Sequence, residues 1–426
     1  MADITILDNL EPECVAMLQA CYSRSHQSIN NRIYNIKDLN EIKRTMGKYY
    51  VGYGHASIAD CGHTTIFIEG VSLLAAKVLQ DTPLYSGQET STRYIDFTSQ
   101  SWIYSNSKYN ESNQKLIDFY SKSKPKLIEY LYKQYPGDLN EQSYIKTINA
   151  KAFDILRAWL PGGMITQLSW HTSLRHARER LTHLYHHPLD EIREICKTLI
   201  VQLIDKYPNT FSGIWDDIDR LAKFNLKYSS LYYNELDLKN DGFPEFKFTQ
   251  LCETGYVENI IIRENKKDPI PRGLNLEPDA LLEFKLCFAS TRDLLRHRNC
   301  YLPLPILTKD LGFNQWYINS LPADLQIEAK LLLDNHPNMD ELNKYEKQYH
   351  IPIGFNVPII MKSSLPQLLY IIELRSSKTV HPTLRRIVQK IAKKVENYYP
   401  DTCNFFCDYD EDDFTLRRGT QDIVQK

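Results

Sequence analysis

The sequence predicts an α/β protein made of two tandem copies of one fold. The chain has 426 residues, the usual size for two domains of about 200 residues each. A strand-then-helix pattern occurs twice at an offset of about 215 residues, and a second pair of matching segments follows at an offset of about 191 residues. A repeat of this length indicates duplication of a whole fold, because solenoid repeats are only about 20 to 50 residues long.

The first matching pair begins with a short strand in each half. Residues 65–70 predict a strand, and the apolar residues that follow have helical spacing. In the second half, residues 283–288 alternate between apolar and polar as a strand should. Residues 289–295 then predict a helix that ends in Arg296-His297-Arg298.

The second matching pair is centred on a proline and a glycine. Residues 159–163 read Trp-Leu-Pro-Gly-Gly, and residues 350–354 read His-Ile-Pro-Ile-Gly. Helix-like sequence follows each segment and ends near Lys206 in the first half and near Tyr398 in the second. The polar run between the halves, residues 233–244, has the turn composition of a linker. The predicted domains are therefore residues 1–230 and 245–426.

Composition excludes several classes of partner. A net charge of −2 gives no electrostatic reason to expect a nucleic-acid polymer or an anionic membrane. No stretch reaches the roughly 18 apolar residues of a membrane span, and no basic segment precedes an apolar one at the N-terminus. The nine cysteines show no disulfide framework, which indicates reduced thiols and a cytoplasmic protein.

Charged stretches and candidate metal ligands have simple interpretations. Residues 108–142 and 322–348 predict exposed helices, and the acidic residues 408–413 predict a solvated tail. We expect no metal site, because the histidines at 183, 186 and 187 have no acidic or cysteine partner at helical spacing. Cys403 and Cys407 lack the spacing of a redox Cys-x-x-Cys pair.

Two short motifs carry the groups that point to chemistry. The forked guanidinium donors of Arg296-His297-Arg298 suit a phosphate or a pyrimidine carbonyl, although basic residues at a helix end also compensate the helix dipole. Residues 86–94 contain hydroxyls, a carboxylate, an amide and an arginine that could hydrogen-bond a nucleotide. The same composition is typical of a polar turn.

In context, the two motifs resemble the flavin-dependent thymidylate synthase family. That family's signature runs from Arg-His-Arg to Ser-x-x-Glu-x-Ser-x-Arg-Tyr. The first copy keeps the second part, from Ser86 to Tyr94, but has Asp81-Thr82-Pro83 in place of the basic triplet. The second copy keeps the triplet at residues 296–298, but the residues after it have nothing of the serine and glutamate pattern. An element resembling the family's Gly-His-x-Ser stands only in the first copy, at residues 54–57.

The C-terminal part of each copy continues this division. The family's arginine before a Leu-Pro step matches Arg157, where the second copy has Gln348. The family's flavin-contacting arginine matches Arg175, where the second copy has Pro366. For the next motif it is the second copy that matches. The family's substrate-activating arginine and nearby histidine match Arg375 and His381, whereas residues 181–185 of the first copy have no arginine in place.

The resemblance implies two mostly antiparallel sheets flanked by helices and a site composed from both copies. Arg375 is implied as the catalytic residue, which stabilises the anionic form of the pyrimidine ring. The implied substrate-binding residues are Glu89, Ser91, Arg93, Arg157, Arg296 and Arg375. The implied flavin-binding residues are His55, Ser57, Glu89, Arg175, Arg296, His297, Arg298 and His381. Family members are homotetramers, so a homodimer of this duplicated chain is expected to form a pseudo-tetramer of four domains.

The implied activity is the conversion of dUMP to dTMP. FAD is the implied cofactor, with methylene-tetrahydrofolate and NADPH as co-substrates. Asp293 stands where the family usually has a glutamine, so methylation or hydroxymethylation of another pyrimidine nucleotide remains an alternative. A non-catalytic nucleotide- or flavin-binding paralogue is a further alternative, because each copy has lost part of the site. The complementary distribution of the losses favours an enzyme.

Overall fold

The computed structural model describes residues 10–23, 44, 56–103, 107–227, 232–233, 242–250, 280–398 and 405–419. These residues form a mixed α/β protein with small sheets, as the sequence predicted. The elements of the first copy are α1 (Pro12–Tyr22), β1 (His63–Ser72), α2 (Leu73–Gln80), α3 (Ser107–Gln134), α4 (Gln142–Leu156), β2 (Ile165–Ser173), α5 (Leu174–Leu184), α6 (Asp190–Lys206), α7 (Pro208–Phe211) and α8 (Ile214–Lys227). Short 3₁₀ helices span Ala56–Cys61 and Arg157–Trp159.

The second copy repeats the central part of this order. Its elements are β3 (Phe246–Gln250), β4 (Ala280–Cys287), α9 (Phe288–Leu294), α10 (Gln315–Asn319), α11 (Ala323–Asp334), α12 (Lys344–Lys347), β5 (Asn356–Ser363), α13 (Leu365–Arg375), α14 (Pro382–Tyr398) and a 3₁₀ helix at Leu416–Arg418. The strand-then-helix units β1–α2 and β4–α9 are the pair predicted at the larger offset. The units β2–α5–α6 and β5–α13–α14 are the pair predicted at the smaller offset.

Each copy contributes one sheet. β1 and β2 form a two-stranded sheet, and β3, β4 and β5 form a three-stranded sheet in that order. Both pairings of the second sheet are antiparallel, with Phe284 opposite Ile359 at the centre of the β4–β5 pair. β4 buries alternate residues, because successive side chains of a strand point to opposite faces. This pattern confirms the sequence prediction for β4.

The chain divides into two compact units that do not coincide with the two copies. The first unit takes in Met1–Val71, Leu84–Glu89 and Gln167–Tyr232. The second unit takes in Ser72–Pro83, Thr90–Thr166 and Tyr233–Lys426. The second unit therefore contains α2, α3 and α4 of the first copy together with the described elements of the second copy. The division into domains 1–230 and 245–426 stays a prediction about the sequence repeat.

The duplication is visible inside the second unit as a reciprocal backbone pairing. Pro161 lies opposite Pro352 in an antiparallel bridge. The Gly162 amide donates to the Ile351 carbonyl at 2.9 Å, and the Ile353 amide donates to the Leu160 carbonyl at the same distance. Each bond is the counterpart of the other at the 191-residue offset. An exchange of equivalent bonds is the signature of a local two-fold relation, so the repeated segments are related by pseudo-two-fold symmetry.

The glycine after each proline makes this close approach possible. A Cβ on Gly163 would lie 2.6 Å from the Ile103 carbonyl oxygen, and a Cβ on Gly354 would lie 2.5 Å from the Phe313 ring. Neither position has room for a side chain. The glycine two residues after each proline therefore stands where another backbone or an aromatic ring packs directly against the chain.

Two predictions about charged segments need revision. The stretch 108–142 forms the long helix α3 and part of α4, but α3 buries one face with Leu116, Tyr120 and Leu127. The acidic residues 408–413 were predicted to be a solvated tail. Asp410, Glu411 and Asp412 are exposed, but Asp408 and Asp413 form ion pairs with a buried arginine. Asp413 pairs with Arg385 at 2.6 Å and Asp408 pairs with the same guanidinium at 3.1 Å. Because Arg385 is completely buried, these carboxylates are part of the folded structure.

Candidate functional site

The residues predicted for the site divide between the two compact units. The first unit contains Ser57, Glu89 and Arg175, and His55 lies outside the described residues. The second unit contains the remaining eight residues: Ser91, Arg93, Arg157, Arg296, His297, Arg298, Arg375 and His381. Arginines from both sequence copies therefore lie within one unit of a single chain.

Asp293, in the last turn of α9, is the centre of this group. Its Oδ2 lies 3.8 Å from Nη1 of Arg157, and its backbone carbonyl accepts a hydrogen bond from Arg375 at 3.1 Å. Burial by itself raises the pKa of Asp293, but Arg157, Arg93, Arg375 and Arg296 together lower it to about 2. The carboxylate is therefore ionised at neutral pH, and the cations that act on it come from both copies.

Two polar atoms at this centre have no hydrogen-bond partner among the described residues. They are Oδ2 of Asp293 and Nε of Arg157. Buried polar atoms without a partner are rare in folded proteins, because each one costs about 1–3 kcal/mol. A carboxylate acceptor beside a guanidinium donor is therefore suited to a polar ligand that offers both a donor and an acceptor.

Arg375 is held in a fixed orientation at the end of α13. Its Nε donates to Nε2 of His297 at 2.8 Å. Burial, Arg375 and Arg298 lower the pKa of His297 to about 3, so the ring is neutral and its Nε2 is free to accept this bond. Residues 295 and 296 form a turn directly after α9, and this turn brings His297 to Arg375. The triplet thus follows the helix instead of ending it.

The outer members of the triplet face different surroundings. Arg296 is exposed, and Arg298 is partly buried, with its Nε donating to the Gln80 carbonyl at 3.4 Å. Arg292, a buried residue of α9, donates a hydrogen bond to the Thr92 hydroxyl at 3.2 Å. Thr92 belongs to the motif retained by the first copy. The helix that precedes the triplet is therefore in direct contact with the motif of the first copy, from which it is separated by about 200 residues in sequence.

Arg157 is buried, with 2% of its surface exposed. Its Nη2 donates to the Ser290 hydroxyl at 3.1 Å, and Ser290 also lies 3.2 Å from Nδ1 of His381. Nε2 of His381 lies 3.2 Å from the Asp154 carbonyl. Burial lowers the pKa of His381 well below its usual value. His381 is thus a neutral, fully buried ring that supports Arg157, and its predicted contact with flavin stays a prediction.

Arg93 forms a bidentate ion pair with Asp154. Its Nε and Nη2 donate to the two carboxylate oxygens of Asp154 at 2.7 and 3.0 Å, and Nη2 also donates to the Thr379 carbonyl at 3.1 Å. A bidentate arginine–carboxylate pair fixes the plane of the guanidinium. Arg418 binds the same carboxylate. The amide of Arg93 donates to the Ser91 hydroxyl at 3.2 Å, which fixes the turn that presents Arg93.

The first unit arranges the remaining part of the motif along β2. Ser86 bridges His171 and Glu89 bridges Leu168 in antiparallel pairs. Between them, a Cβ on Gly87 would lie 1.9 Å from the Ser169 carbonyl oxygen, so only glycine fits there. The residues around Ser86 are therefore an extended edge of β2, not an isolated turn.

Arg175 lies in the first turn of α5. It donates to Asp60 at 2.9 Å and to Glu179 at 2.7 Å. Asp60 lies in the 3₁₀ helix Ala56–Cys61, which also contains Ser57. Two residues predicted to bind flavin, Ser57 and Arg175, are thus brought to the same neighbourhood by Asp60.

Three residues of the site were missed by the sequence analysis. Asp154 could have been recognised as a lone carboxylate between the apolar Phe153 and Ile155 of α4, three residues before Arg157. Ser290 and Arg418 had no comparable signal, because a serine in a short helix and a basic residue near the C-terminus are ordinary features. Among the described residues no cluster of histidine, cysteine, aspartate or glutamate is arranged to hold a metal ion. In the same part of the chain, no helix is both long and apolar enough to cross a membrane.

Comparisons with known proteins match different spans of the chain. Residues 4–209 match the family model described as thymidylate synthase complementing protein. A UPF0159 protein of Chlamydia muridarum is 25% identical over 432 residues, covering 85% of this chain and 80% of that protein. A UPF0159 protein of Thermoplasma acidophilum is 21% identical over 486 residues, covering 95% of this chain and 97% of that protein.

A solved structure also matches part of the chain. It is the flavin-dependent thymidylate synthase of Helicobacter pylori, complexed with FAD and dUMP. The match has 15% sequence identity and a TM-score of 0.31, and it covers 48% of this chain and 95% of that chain.

Proposed function

We propose that this chain, whose residues 4–209 belong to the thymidylate synthase complementing protein family, is a flavin-dependent enzyme that methylates dUMP to dTMP. The observation that carries this proposal is the meeting of Arg93 and Arg157 from the first copy with Asp293 and Arg375 from the second. Each copy alone lacks part of this group. The two degenerate copies therefore supply complementary parts of one site.

The charge of the site suits a nucleotide monophosphate. Five guanidinium groups act on two carboxylates, the buried Asp154 and the partly buried Asp293. The excess of positive charge favours a phosphate, and planar guanidinium groups bind phosphate oxygens in a bidentate manner. The five arginines are Arg93, Arg157, Arg296, Arg375 and Arg418. Substrate binding by Glu89 and Ser91 is also proposed, on the family resemblance.

The base is recognised by two atoms that have no hydrogen-bond partner among the described residues, one on Asp293 and one on Arg157. A pyrimidine edge presents a donor next to an acceptor, which complements Oδ2 of Asp293 and Nε of Arg157. Because the low pKa keeps Asp293 ionised, this residue accepts hydrogen bonds only. Uracil offers its N3–H to such an acceptor, and cytosine offers its amino group. Competition between dUMP and dCMP therefore identifies the base.

Arg375 is the proposed catalytic residue. Methylation at C5 requires electron density at that carbon, and a cation at the polar edge of the ring stabilises the anionic form that provides it. The neutral His297 holds Nε of Arg375 without cancelling its charge. The guanidinium thus keeps its full charge in a fixed plane.

FAD is the proposed cofactor, and the residues present suit its phosphates and ring. Arg296 is exposed and Arg298 is partly exposed beside it, so the triplet offers cationic donors that a phosphate can reach. When bound and reduced, FAD supplies a hydride. His297 and Arg298 are further residues proposed to bind it. On the family resemblance, FAD binding is also proposed for His55, Ser57 and Arg175. NADPH and methylene-tetrahydrofolate are the proposed sources of electrons and carbon, in the cytoplasm.

The proposal is tested by spectroscopy followed by turnover. Purified protein should show the absorbance of oxidised flavin, and dUMP should perturb that band more strongly than dCMP. With methylene-tetrahydrofolate and NADPH, dUMP labelled with tritium at C5 should release the label as the methyl group replaces it. A protein that binds flavin and dUMP without releasing tritium would support the non-catalytic alternative. Stronger perturbation and turnover with dCMP would support the other pyrimidine substrate.

A homodimer is the proposed assembly. Light scattering should give about twice the chain mass of 49.9 kDa. A monomer that turns over dUMP would show that one chain is sufficient for a complete site.

A further inference from the structure

The C-terminal segment, residues 405–419, is a folded part of the second unit. The ring of Phe414 stacks on Tyr135 at a centroid distance of 4.6 Å and an interplanar angle of 8°. Asp413 pairs with the buried Arg385 at 2.6 Å. The hydroxyl of Thr147 donates to the Leu416 carbonyl at 3.3 Å. An aromatic stack, a buried ion pair and a backbone contact hold the segment at three points along its length.

The segment ends in a close approach to α4. A Cβ on Gly419 would lie 2.0 Å from the Ser143 carbonyl oxygen. The φ angle of Gly419 is −67°, so glycine is needed here for space and not for its conformational freedom. The Gly419 amide donates to the Thr147 hydroxyl at 3.0 Å. This contact lets the 3₁₀ helix Leu416–Arg418 lie directly against α4.

The close approach places Arg418 inside the second unit. Its side chain is only 8% exposed. One guanidinium nitrogen binds the Asp154 carboxylate, and another donates to the Ala150 carbonyl at 3.2 Å. The same guanidinium lies 3.4 Å from the Arg93 carbonyl oxygen. Arg418 therefore touches both members of the Arg93–Asp154 pair.

Sharing one carboxylate between two guanidinium groups has an electrostatic consequence. Arg93 and Asp154 alone form a pair with no net charge, which offers little attraction to an anion. Arg418 adds a positive charge that the carboxylate does not fully neutralise. Because Arg418 binds Oδ2 of Asp154, it also restricts the carboxylate whose two oxygens orient Arg93.

We propose that the C-terminal segment is a built-in part of the nucleotide site, in which Arg418 is a positioning residue that orients Arg93 through Asp154 and supplies positive charge for the phosphate of the nucleotide. The identity of the nucleotide rests on the proposed function. The role of the segment rests on its contacts with α4, Asp154 and Arg93. A chain whose segment is not seated is expected to bind a nucleoside monophosphate weakly.

The first experiment measures binding of dUMP and of inorganic phosphate to the full-length protein and its variants. Arg418→Ala should weaken binding of both ligands about tenfold or more, because it removes a charge coupled to Arg93. The matched control is Arg417→Ala, an exposed neighbour in the same 3₁₀ helix, which should change binding less than twofold. Arg418-dependent binding of phosphate without any binding of dUMP would refute the proposed substrate alone. Unchanged binding of both ligands by Arg418→Ala would refute the role of the segment alone.

A second set of variants separates positioning from a general effect on folding. In an Arg93→Ala background, Arg418→Ala should cause a smaller further loss of dUMP affinity than in the wild type, because the group that Arg418 positions is already absent and only its charge is lost. Added methylguanidinium should restore dUMP binding to Arg418→Ala by filling the vacated space. Gly419→Val should reproduce the loss of affinity without removing a charge, because its side chain cannot fit beside Ser143. Independent losses from Arg93→Ala and Arg418→Ala, or tighter binding by Arg418→Ala, would overturn the proposal.

Discussion

Helices α5 and α13 are the same helix in the two copies, and they end differently. Each follows a strand, begins after a serine and contains eleven residues. α5 ends at Leu184, which is completely buried, whereas α13 ends at Arg375, which binds His297 and the Asp293 carbonyl. The length and start of the helix are shared, but its last residue serves the core in one copy and the candidate site in the other.

The turns after α2 and α9 show the same contrast. Within each helix the two copies carry a buried cation at the equivalent position, Lys77 and Arg292. Four residues later the first copy continues as Asp81-Thr82-Pro83 and the second as Arg296-His297-Arg298. Buried positions that support the fold are thus similar in the two copies, and positions at the candidate site have diverged.

The motif that follows these turns is retained in the first copy and lost in the second. Ser86 bridges His171, and at the two offsets the equivalent bridge joins Tyr301 to Lys362. The backbone pairing is retained, although serine is replaced by tyrosine. The comparison shows that each copy keeps the backbone frame and loses a different set of polar side chains. Four predictions test whether the differing side chains act in one shared site.

Replacing Asp154 should have the largest effect. Asp154→Asn leaves the partly buried Arg93 and the buried Arg418 without their carboxylate, which should lower the free energy of unfolding by about 3–5 kcal/mol. At the 191-residue offset the second copy has Tyr345, so this carboxylate belongs to the first copy alone. Urea unfolding monitored by circular dichroism measures the change.

A matched control for this variant is Asp324→Asn. Asp324 forms an ion pair with Lys126 in which both side chains are more than half exposed, so its loss should change stability by less than about 1 kcal/mol. Similar losses for the two variants would mean that burial of the Arg93–Asp154–Arg418 group does not dominate its energetics.

Replacing Arg375 should have the largest effect on turnover. Arg375→Ala should lower kcat by about 10² or more, because it removes the charge that stabilises the anionic ring. Arg375→Lys should not restore it, since an ammonium cannot reproduce the planar donor set. Steady-state turnover of dUMP with bound flavin measures both. Near-normal kcat in either variant would show that another residue activates the ring.

The corresponding position in the first copy provides the comparison. Leu184→Ala should destabilise the protein by about 2–5 kcal/mol through loss of buried apolar volume. It should leave kcat of the folded protein close to that of the wild type. A large loss of kcat in a stably folded Leu184→Ala protein would mean that the first copy contributes to catalysis at this position too.

Arg93→Ala and Arg298→Ala should each weaken dUMP binding or flavin reoxidation, although they lie in different copies. If they belong to one ligand network, the double variant should lose much less than the product of the two single effects. Calorimetric dUMP titration and stopped-flow reoxidation of the three variants give the coupling. Strictly multiplicative effects would indicate two independent sites.

Protonation of His297 should have the smallest effect. The pKa of His297 is lowered to about 3 in the folded protein by burial, Arg375 and Arg298, against about 6.5 in an unfolded chain. The folded state therefore binds fewer protons, and the stability that His297 contributes is present above pH 6.5 and is lost as pH falls toward 3.

A non-titrating residue at this position tests that contribution. His297→Gln should reduce the slope of unfolding free energy against pH between about pH 6 and 4, by at most about 1.4 kcal/mol per pH unit. The equivalent residue of the first copy, Thr82, does not titrate. Equal slopes for wild type and His297→Gln, measured by urea unfolding at several pH values, would show that His297 is not held neutral by the fold.

The strands and helices of the repeat could be predicted from the sequence, because they depend on local patterns, whereas the candidate site residues were proposed from a family resemblance. The alternation of β4 and the serine before α13 are read within a few residues. Arg375, Arg157 and the triplet were assigned from their resemblance to the motifs of the flavin-dependent thymidylate synthase family. The positions of the strands and helices follow from short stretches of sequence and need no knowledge of distant residues.

Only the tertiary structure decided which charges meet. Asp154 and Arg418 are 264 residues apart in sequence, and no local pattern relates them. The acidic residues 408–413 have the composition of a solvated tail, yet Asp413 binds the buried Arg385. The free energy of a charge depends on its burial and on its partners, and both are set by the packing of segments that are distant in sequence.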